Sequence, residues 1–168
     1  MGGQDSLDVA KSYNNIGLVY NTQGKYEEAL DMYSKSLDIN TRIYGGDNHP
    51  DVAKSYGNIG NVYDSQGQYE RALEYYQKAL EIDIKVSGQD HLDVAMTFLD
   101  VAASKYNIAS LKETQGDLEG ARRLFLECEQ IYLKVFGADH EKTLDAAMRA
   151  YTHVCRHVCR PARCVVYI

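Results

Sequence analysis

Between Val52 and Tyr63 the apolar and small residues Val52, Ala53, Tyr56, Ile59, Gly60 and Tyr63 recur at three- and four-residue spacing with polar residues between them. That period predicts an amphipathic helix over roughly 50–66. Pro50 suits its first turn, where the missing N–H is no loss, and Gly67 predicts a left-handed stop. Tyr69, Ala72, Leu73, Tyr76, Ala79, Leu80 and Ile82 then mark a second helix. Gly60, Ala72 and Ala79 sit where two helix axes approach closely, which only small side chains permit.

The unit repeats. Residues 8–39 and 51–82, offset by 43, are identical at 21 of 32 positions. A third copy starts at His91-Leu92-Asp93-Val94-Ala95, offset by 42, but resumes at Asn107-Ile108-Ala109 with an offset of 49. The cause is a duplicated heptad, Asp-Val-Ala standing at both 93 and 100. Seven residues turn an α-helix through about 700°, within roughly 20° of two full turns. The insertion therefore keeps the apolar face aligned while adding about 10 Å of helix. Two outcomes are open: a continuous helix of about 25 residues with two turns projecting near Met96–Val101, or a kink near Ala103-Ser104. A partial fourth unit begins at Gly137-Ala138-Asp139-His140.

Composition narrows the class. The 168 residues are 45% hydrophobic and include two prolines, which fits a helical chain with a real core and not a turn-rich β protein. A formal charge of −6 argues against a nucleic-acid footprint. The cysteines, Cys128 and then Cys155, Cys159 and Cys164 in the tail, are not spread as a disulfide framework. A reducing, cytoplasmic setting is expected. No signal peptide or 18-residue apolar run is present in the sequence. Met1-Gly2-Gly3-Gln4-Asp5-Ser6 fits the N-myristoylation form, yet Gly3 to Ala10 also matches the linker Gly88 to Ala95 at every position but Ser6, so an inter-repeat loop is the preferred reading.

Tyr56, Ile59, Gly60, Tyr63, Ala72, Tyr76 and Ala79, with Tyr13, Ile16, Gly17, Tyr20, Ala29 and Tyr33 in the first copy, resemble the tetratricopeptide repeat (TPR) signature. The 42-residue spacing and the linkers ending Asp-Asn-His-Pro and Gln-Asp-His-Leu resemble the longer repeat of kinesin light chains. The resemblance implies an all-α fold: a right-handed α-α superhelix, or TPR solenoid, of three helix pairs plus a C-terminal capping helix. The array is expected over 1–150, with repeats at about 3–45, 46–88 and 89–137 and a partial fourth helix from 141. Residues 151–168 form an atypical Cys- and Arg-containing tail.

The family's peptide-contacting positions, carried over one by one, fall on Lys11, Asn14, Asn15, Leu18 and Asn21, then on Lys54, Asn58, Asn61 and Asp64. In the third copy they fall on Tyr106, Asn107, Ser110 and Glu113. Asn15, Asn58 and Asn107 share one repeat position, and an amide that donates and accepts pairs with peptide backbone whatever its side chains. The carboxylate clamp of chaperone-binding relatives is not expected, because its basic positions hold Asn14, Ala103 and Asn107. Lys11 and Lys54 suit acidic groups flanking an aromatic or aliphatic anchor.

Other chemistry is weaker. His49, His91 and His140 recur once per unit, too far apart for one zinc, and read as caps or loop residues. In the tail, His153/His157 and Cys155/Cys159 lie about 200° apart on a helix, so one ion cannot gather all four. Cys128 replaces a small alanine of the second helix and reads as packed rather than nucleophilic. No phosphate-loop, nucleophile-elbow or H-E-x-x-H string occurs. A non-enzymatic adaptor or scaffold is expected, with no cofactor, no metal and no nucleic acid, holding a short extended peptide in its concave groove. The alternative is a structural fragment of a larger signalling or receptor-like protein, self-associating through exposed repeat ends. It is suggested by a chain that opens in linker-like sequence.

Overall fold

A computed structural model describes residues 6–88 and 92–158, with side chains over 6–88 and 94–151. Among the described residues the chain is helical with no strand: α1 (Leu7–Thr22), α2 (Tyr26–Tyr44), α3 (Pro50–Ser65), α4 (Tyr69–Ser87), α5 (Leu92–Thr114), α6 (Leu118–Phe136) and α7 (Glu141–Val158). No described helix is long and apolar enough to cross a membrane. The fold is a tetratricopeptide-type helical repeat of three helix pairs followed by a seventh helix. Its helix starts and stops follow the local chemistry. The Ser6 hydroxyl accepts from Val9 N at 3.2 Å, and Pro50 fills the first turn of α3. After α1, α3 and α5 the chain reverses through Gly24, Gly67 and Gly116 at φ of 72°, 71° and 86°, a backbone state that costs a side-chain-bearing residue about 1 kcal/mol or more.

The packing separates into two compact units with a boundary between Val101 and Ala102. In the first, α1 packs on α2 and α3 on α4 through the small residues that the repeat places at the crossing. A Cβ added at Gly17 or Gly60 would stand 2.8 or 2.7 Å from the ring of Tyr33 or Tyr76. Those rings, 2% and 3% exposed, therefore lie directly on helix backbone. Ala29, Tyr33, Ile59 and Val62 form one core cluster, and Val52, Ala53, Ala79 and Ile82 another. Each large apolar side chain so buried stabilises by about 1.5–3 kcal/mol.

The duplicated heptad resolves as one uninterrupted helix, α5, of 23 residues. The turns near Met96–Val101, expected to project, are partly exposed. Met96 is exposed, but Val94, Val101 and Ala102 are buried, because the helix uses both registers of its repeat. In the first unit, Thr97 Oγ1 donates to Asp83 at 2.8 Å, which reproduces at the offset of 42 the contact of Asn40 with Ser55 at 3.4 Å. In the second unit the offset is 49. Cys128 Sγ donates to the Ala102 carbonyl at 3.2 Å, as Ser36 Oγ does to that of Ala10 at 2.9 Å. Ala109 meets Phe125 where Gly60 meets Tyr76. Ser104 stands where the second repeat has Ser55, and its buried hydroxyl is left without a hydrogen bond, a cost of about 1–3 kcal/mol.

Candidate functional site

In the first unit, α1 and α3 lie side by side and carry the polar repeat positions on a shared face. A pocket of about 260 Å³ opens there, lined among others by Lys11, Asn14, Asn15, Asn40, Asp51 and Lys54. Lys11, Asn15 and Lys54 are exposed while Asn14 and Asn58 are half-buried. Asn58 Nδ2 donates to Asn14 Oδ1 at 2.6 Å, which joins the two helices across this face. One N–H and the oxygen of Asn58, and the NH₂ of Asn14, lie outside that bond and are chemically able to meet an incoming backbone. The floor is built by residues that periodicity passed over. Asn40, 6% exposed, reaches from α2 to the Asp51 carbonyl at 3.5 Å and the Ser55 hydroxyl at 3.4 Å. Ser55 itself donates to the Asp51 carbonyl at 2.9 Å. A polar residue inside the apolar stripe of α2 was the signal for it.

The remaining positions of this unit separate by role. Asn61 accepts from the Tyr76 hydroxyl at 2.6 Å, fixing the ring against Gly60. Asn21 is half-buried with its Oδ1 lacking a partner, and Leu18 is 55% exposed. Asp64 shares its surroundings with Asp100 of α5. Loss of hydration first, and the like charge of Asp64 second, push Asp100 up to about 6, although its side chain still reaches solvent. Burial, together with both carboxylates, also raises Tyr76. Lys11 and Lys54 make one part of the unit basic, and the Asp64–Asp100 pair makes another acidic.

The second unit carries a different arrangement. Tyr106, Asn107 and Ser110 are all half-buried on α5, and a pocket of about 220 Å³ is lined by Ala103, Tyr106, Asn107, Tyr132, Lys142 and Asp145. The Tyr106 hydroxyl donates to Asp145 of α7. Arg149, also on α7, donates to the Tyr106 oxygen at 2.8 Å and to Ser110 Oγ at 3.0 Å, and approaches Glu113 at 3.5 Å. Arg149 was not anticipated, although an offset of 91 from Asn58, the sum of 42 and 49, puts it on the Asn15–Asn58–Asn107 position. Where the first two repeats stack Lys35 over Tyr13 at 5.8 Å and Lys78 over Tyr56 at 5.7 Å, the third has an ion pair, Lys105 to Glu127 at 2.6 Å.

The histidines that are described cap helices. Asp51 N donates to His49 Nδ1 and Lys142 N to His140 Nδ1, each at 3.2 Å, and the rings stack on Tyr44 and Phe136. His91, the myristoylation pattern at 1–6 apart from Ser6, and the tail residues His153, Cys155, His157, Cys159 and Cys164 lie outside the residues whose side chains are described. Among those residues no group of His, Cys, Asp and Glu has the geometry of a metal site. Cys128 is buried, which pushes its thiol up to about 12, so thiolate chemistry is suppressed there at neutral pH.

Two tetratricopeptide repeat family models match, over residues 8–85 and 101–141. The second match begins at Val101, the start of the later register of α5. Among solved structures, a putative kinesin light chain with nearly identical TPR-like repeats from P. anserina superposes with a TM-score of 0.62 at 17% identity, covering 92% of this chain and 70% of that one. The N-terminal domain of stress-induced protein-1 from C. elegans gives 0.56 at 17%, covering 85% and 95%. BtubC (BKLC) from P. vanneervenii gives 0.52 at 19%, covering 97% and 71%. At these identities the likeness establishes fold. No curated protein matches in sequence.

Proposed function

The chain belongs to the tetratricopeptide repeat family, and from that premise we propose that it is a non-catalytic, cytoplasmic interaction module of the adaptor or scaffold type, similar to kinesin light chains, that holds an extended peptide on its first unit. One observation carries this reading: the pocket between α1 and α3 collects Lys11, Lys54, Asn14 and Asn15 beside an Asn14–Asn58 pair that is already bonded and oriented. The amides meet the peptide backbone, and the two lysines favour acidic residues next to an anchoring side chain. Asn21, Asn61 and Asp64 extend the same helices, with Asn61 acting by holding Tyr76. In the second unit Tyr106, Asn107 and Ser110 present a separate surface. Single interactions of this kind contribute about 0.5–1.5 kcal/mol each, so the complex is transient, on the order of micromolar.

The test is a selection from a displayed random-peptide library, followed by fluorescence polarisation. Selected peptides are expected to carry acidic residues, to lose several-fold affinity on Asn58→Ala, and to lose nearly all of it on combined Lys11→Glu and Lys54→Glu. Unchanged binding in both variants, with the helical content retained, would overturn the reading. The rival, self-association of a structural fragment, is supported by an exposed apolar row on α7: Leu144, Met148 and Tyr151 at 55%, 60% and 53%. It predicts a mass that grows with concentration in light scattering and reverts on Leu144→Glu with Met148→Glu. The peptide-binding reading predicts a constant mass.

A further inference from the structure

Arg149 meets Tyr106, Ser110, Glu113 and Phe125 of the second unit. Its guanidinium carbon lies 5.2 Å from the centre of the Tyr106 ring and 5.1 Å from that of Phe125, and those two rings meet edge to face at 71°. The in-plane N–H groups point at oxygens. One nitrogen serves both the Tyr106 hydroxyl and Ser110 Oγ, and the other approaches the Glu113 carboxylate. Two of these acceptors are themselves oriented, because Tyr106 donates its own proton to Asp145 and Ser110 donates to the Tyr106 carbonyl at 3.0 Å. Two aromatic rings within cation–π distance and a set of oxygens that accept from its forked N–H groups are partners that suit a guanidinium. An ammonium cannot fill that outline, since it lacks the plane and the fork.

The packing of α7 also rests on small residues. Ala146 and Ala150 bury the helix against the unit, while the Arg149 side chain remains 35% exposed, on the repeat position that carries asparagine in the three preceding units. We propose that the second unit contains a guanidinium-binding site, recognising the arginine side chain of a partner peptide, and that Arg149 occupies it from within the chain. Tyr106, Ser110, Glu113 and Phe125 form the site, and Asp145 positions the Tyr106 hydroxyl. The inference stands on the second unit alone and does not depend on peptide binding by the first.

Truncation of Arg149 to alanine removes a fragment equivalent to ethylguanidinium, which supplies the probe. In the folded Arg149→Ala protein, ethylguanidinium chloride is expected to raise the melting temperature saturably in the millimolar range. Ethylammonium chloride at equal ionic strength should do nothing, and the wild type should respond to neither. Adding Glu113→Gln with Ser110→Ala to Arg149→Ala should abolish the effect. The blocked peptide Gly-Gly-Arg-Gly-Gly should bind Arg149→Ala roughly tenfold more tightly than wild type, since a tethered competitor acts at an effective concentration of millimolar or above; its lysine counterpart should not. A folded variant with no saturable response, one that answers equally to ethylammonium, or one that shows no gain for the arginine peptide overturns the proposal. If Arg149→Ala does not fold, the wild-type protein decides the matter by NMR. Arg149 guanidinium protons that are resolved, ring-shifted and collapse on Glu113→Gln support the site, whereas resonances averaged like those of free arginine refute it.

Discussion

Gly57 and Gly60, one turn apart on α3, should respond to alanine with opposite signs. A Cβ at Gly60 would stand 2.7 Å from Cε1 and 2.8 Å from Cδ1 of Tyr76, against an ordinary carbon contact of about 3.5–4.0 Å. The ring has nowhere to go. It is 3% exposed, and its hydroxyl is anchored on Asn61 at 2.6 Å. Overpacking of this kind costs about 1–3 kcal/mol, and weakening the anchor about 1 more. The better helix propensity of alanine returns about 1 kcal/mol, so Gly60→Ala should destabilise by about 1–3 kcal/mol. At Gly57 an added Cβ meets nothing within 4 Å, and only the propensity gain remains. Urea unfolding followed by circular dichroism reads this as a lower midpoint for Gly60→Ala and an unchanged or higher one for Gly57→Ala, with similar slopes. The third repeat suggests a rescue. There Ala109 faces Phe125, which has no hydroxyl to hold it, so Gly60→Ala should cost less in a Tyr76→Phe background, by an interaction of about 0.5 kcal/mol or more. If Gly60→Ala proved as stable as Gly57→Ala, the close approach of backbone and ring would be refuted.

Three further outcomes follow from the same geometry. Because the Asp100 carboxyl is held up to about 6 by lost hydration and Asp64, the folded state binds its proton more tightly than the unfolded chain; its contribution to stability is fully present below the ordinary carboxylate range and is lost as pH rises through about 6. Asp100→Asn should therefore be more stable than wild type at pH 7, with the gain vanishing near pH 4 in thermal melts; a gain independent of pH would contradict this. Glu127→Lys sets two ammonium groups together in place of the Lys105 pair and should cost on the order of 1 kcal/mol. Adding Lys105→Tyr rebuilds the cation-on-ring arrangement of the earlier repeats and should recover most of that loss in urea melts. Cys128→Ser should change stability by no more than about 1 kcal/mol, since Ser36 already makes the equivalent bond in the first repeat. In the wild type, site-resolved mass spectrometry should find Cys128 unlabelled by iodoacetamide at pH 8 until the fold is lost.

The repeat architecture was legible because each rule that builds it is local. Apolar spacing, Pro50 and Gly67 bound α3 to within a residue and mark the start of α4, whose stripe ends at Ile82 short of Ser87, and the seven-residue insertion made a continuous long α5 one of two expected outcomes. What escaped depends on neighbours in space. That α5 uses one register in the first unit and another in the second appears only when Thr97 is seen on Asp83 and Cys128 on Ala102. The asparagine positions were readable as a repeat, but the bond between Asn58 and Asn14 joins different repeat positions, so no periodicity marks it. Arg149 was legible too, since it lies 42 residues, one repeat length, beyond Asn107.

Peptide binding between α1 and α3 is tested by titrating the labelled wild-type protein with a library-selected peptide and recording ¹H–¹⁵N correlation spectra that include the asparagine side-chain NH₂ groups. The side-chain signals of Asn14, Asn15 and Asn58 and the backbone amides around Lys11 and Lys54 should shift together with one affinity. Shifts confined to α2 and α4, with those asparagine signals unmoved at saturation, would contradict it.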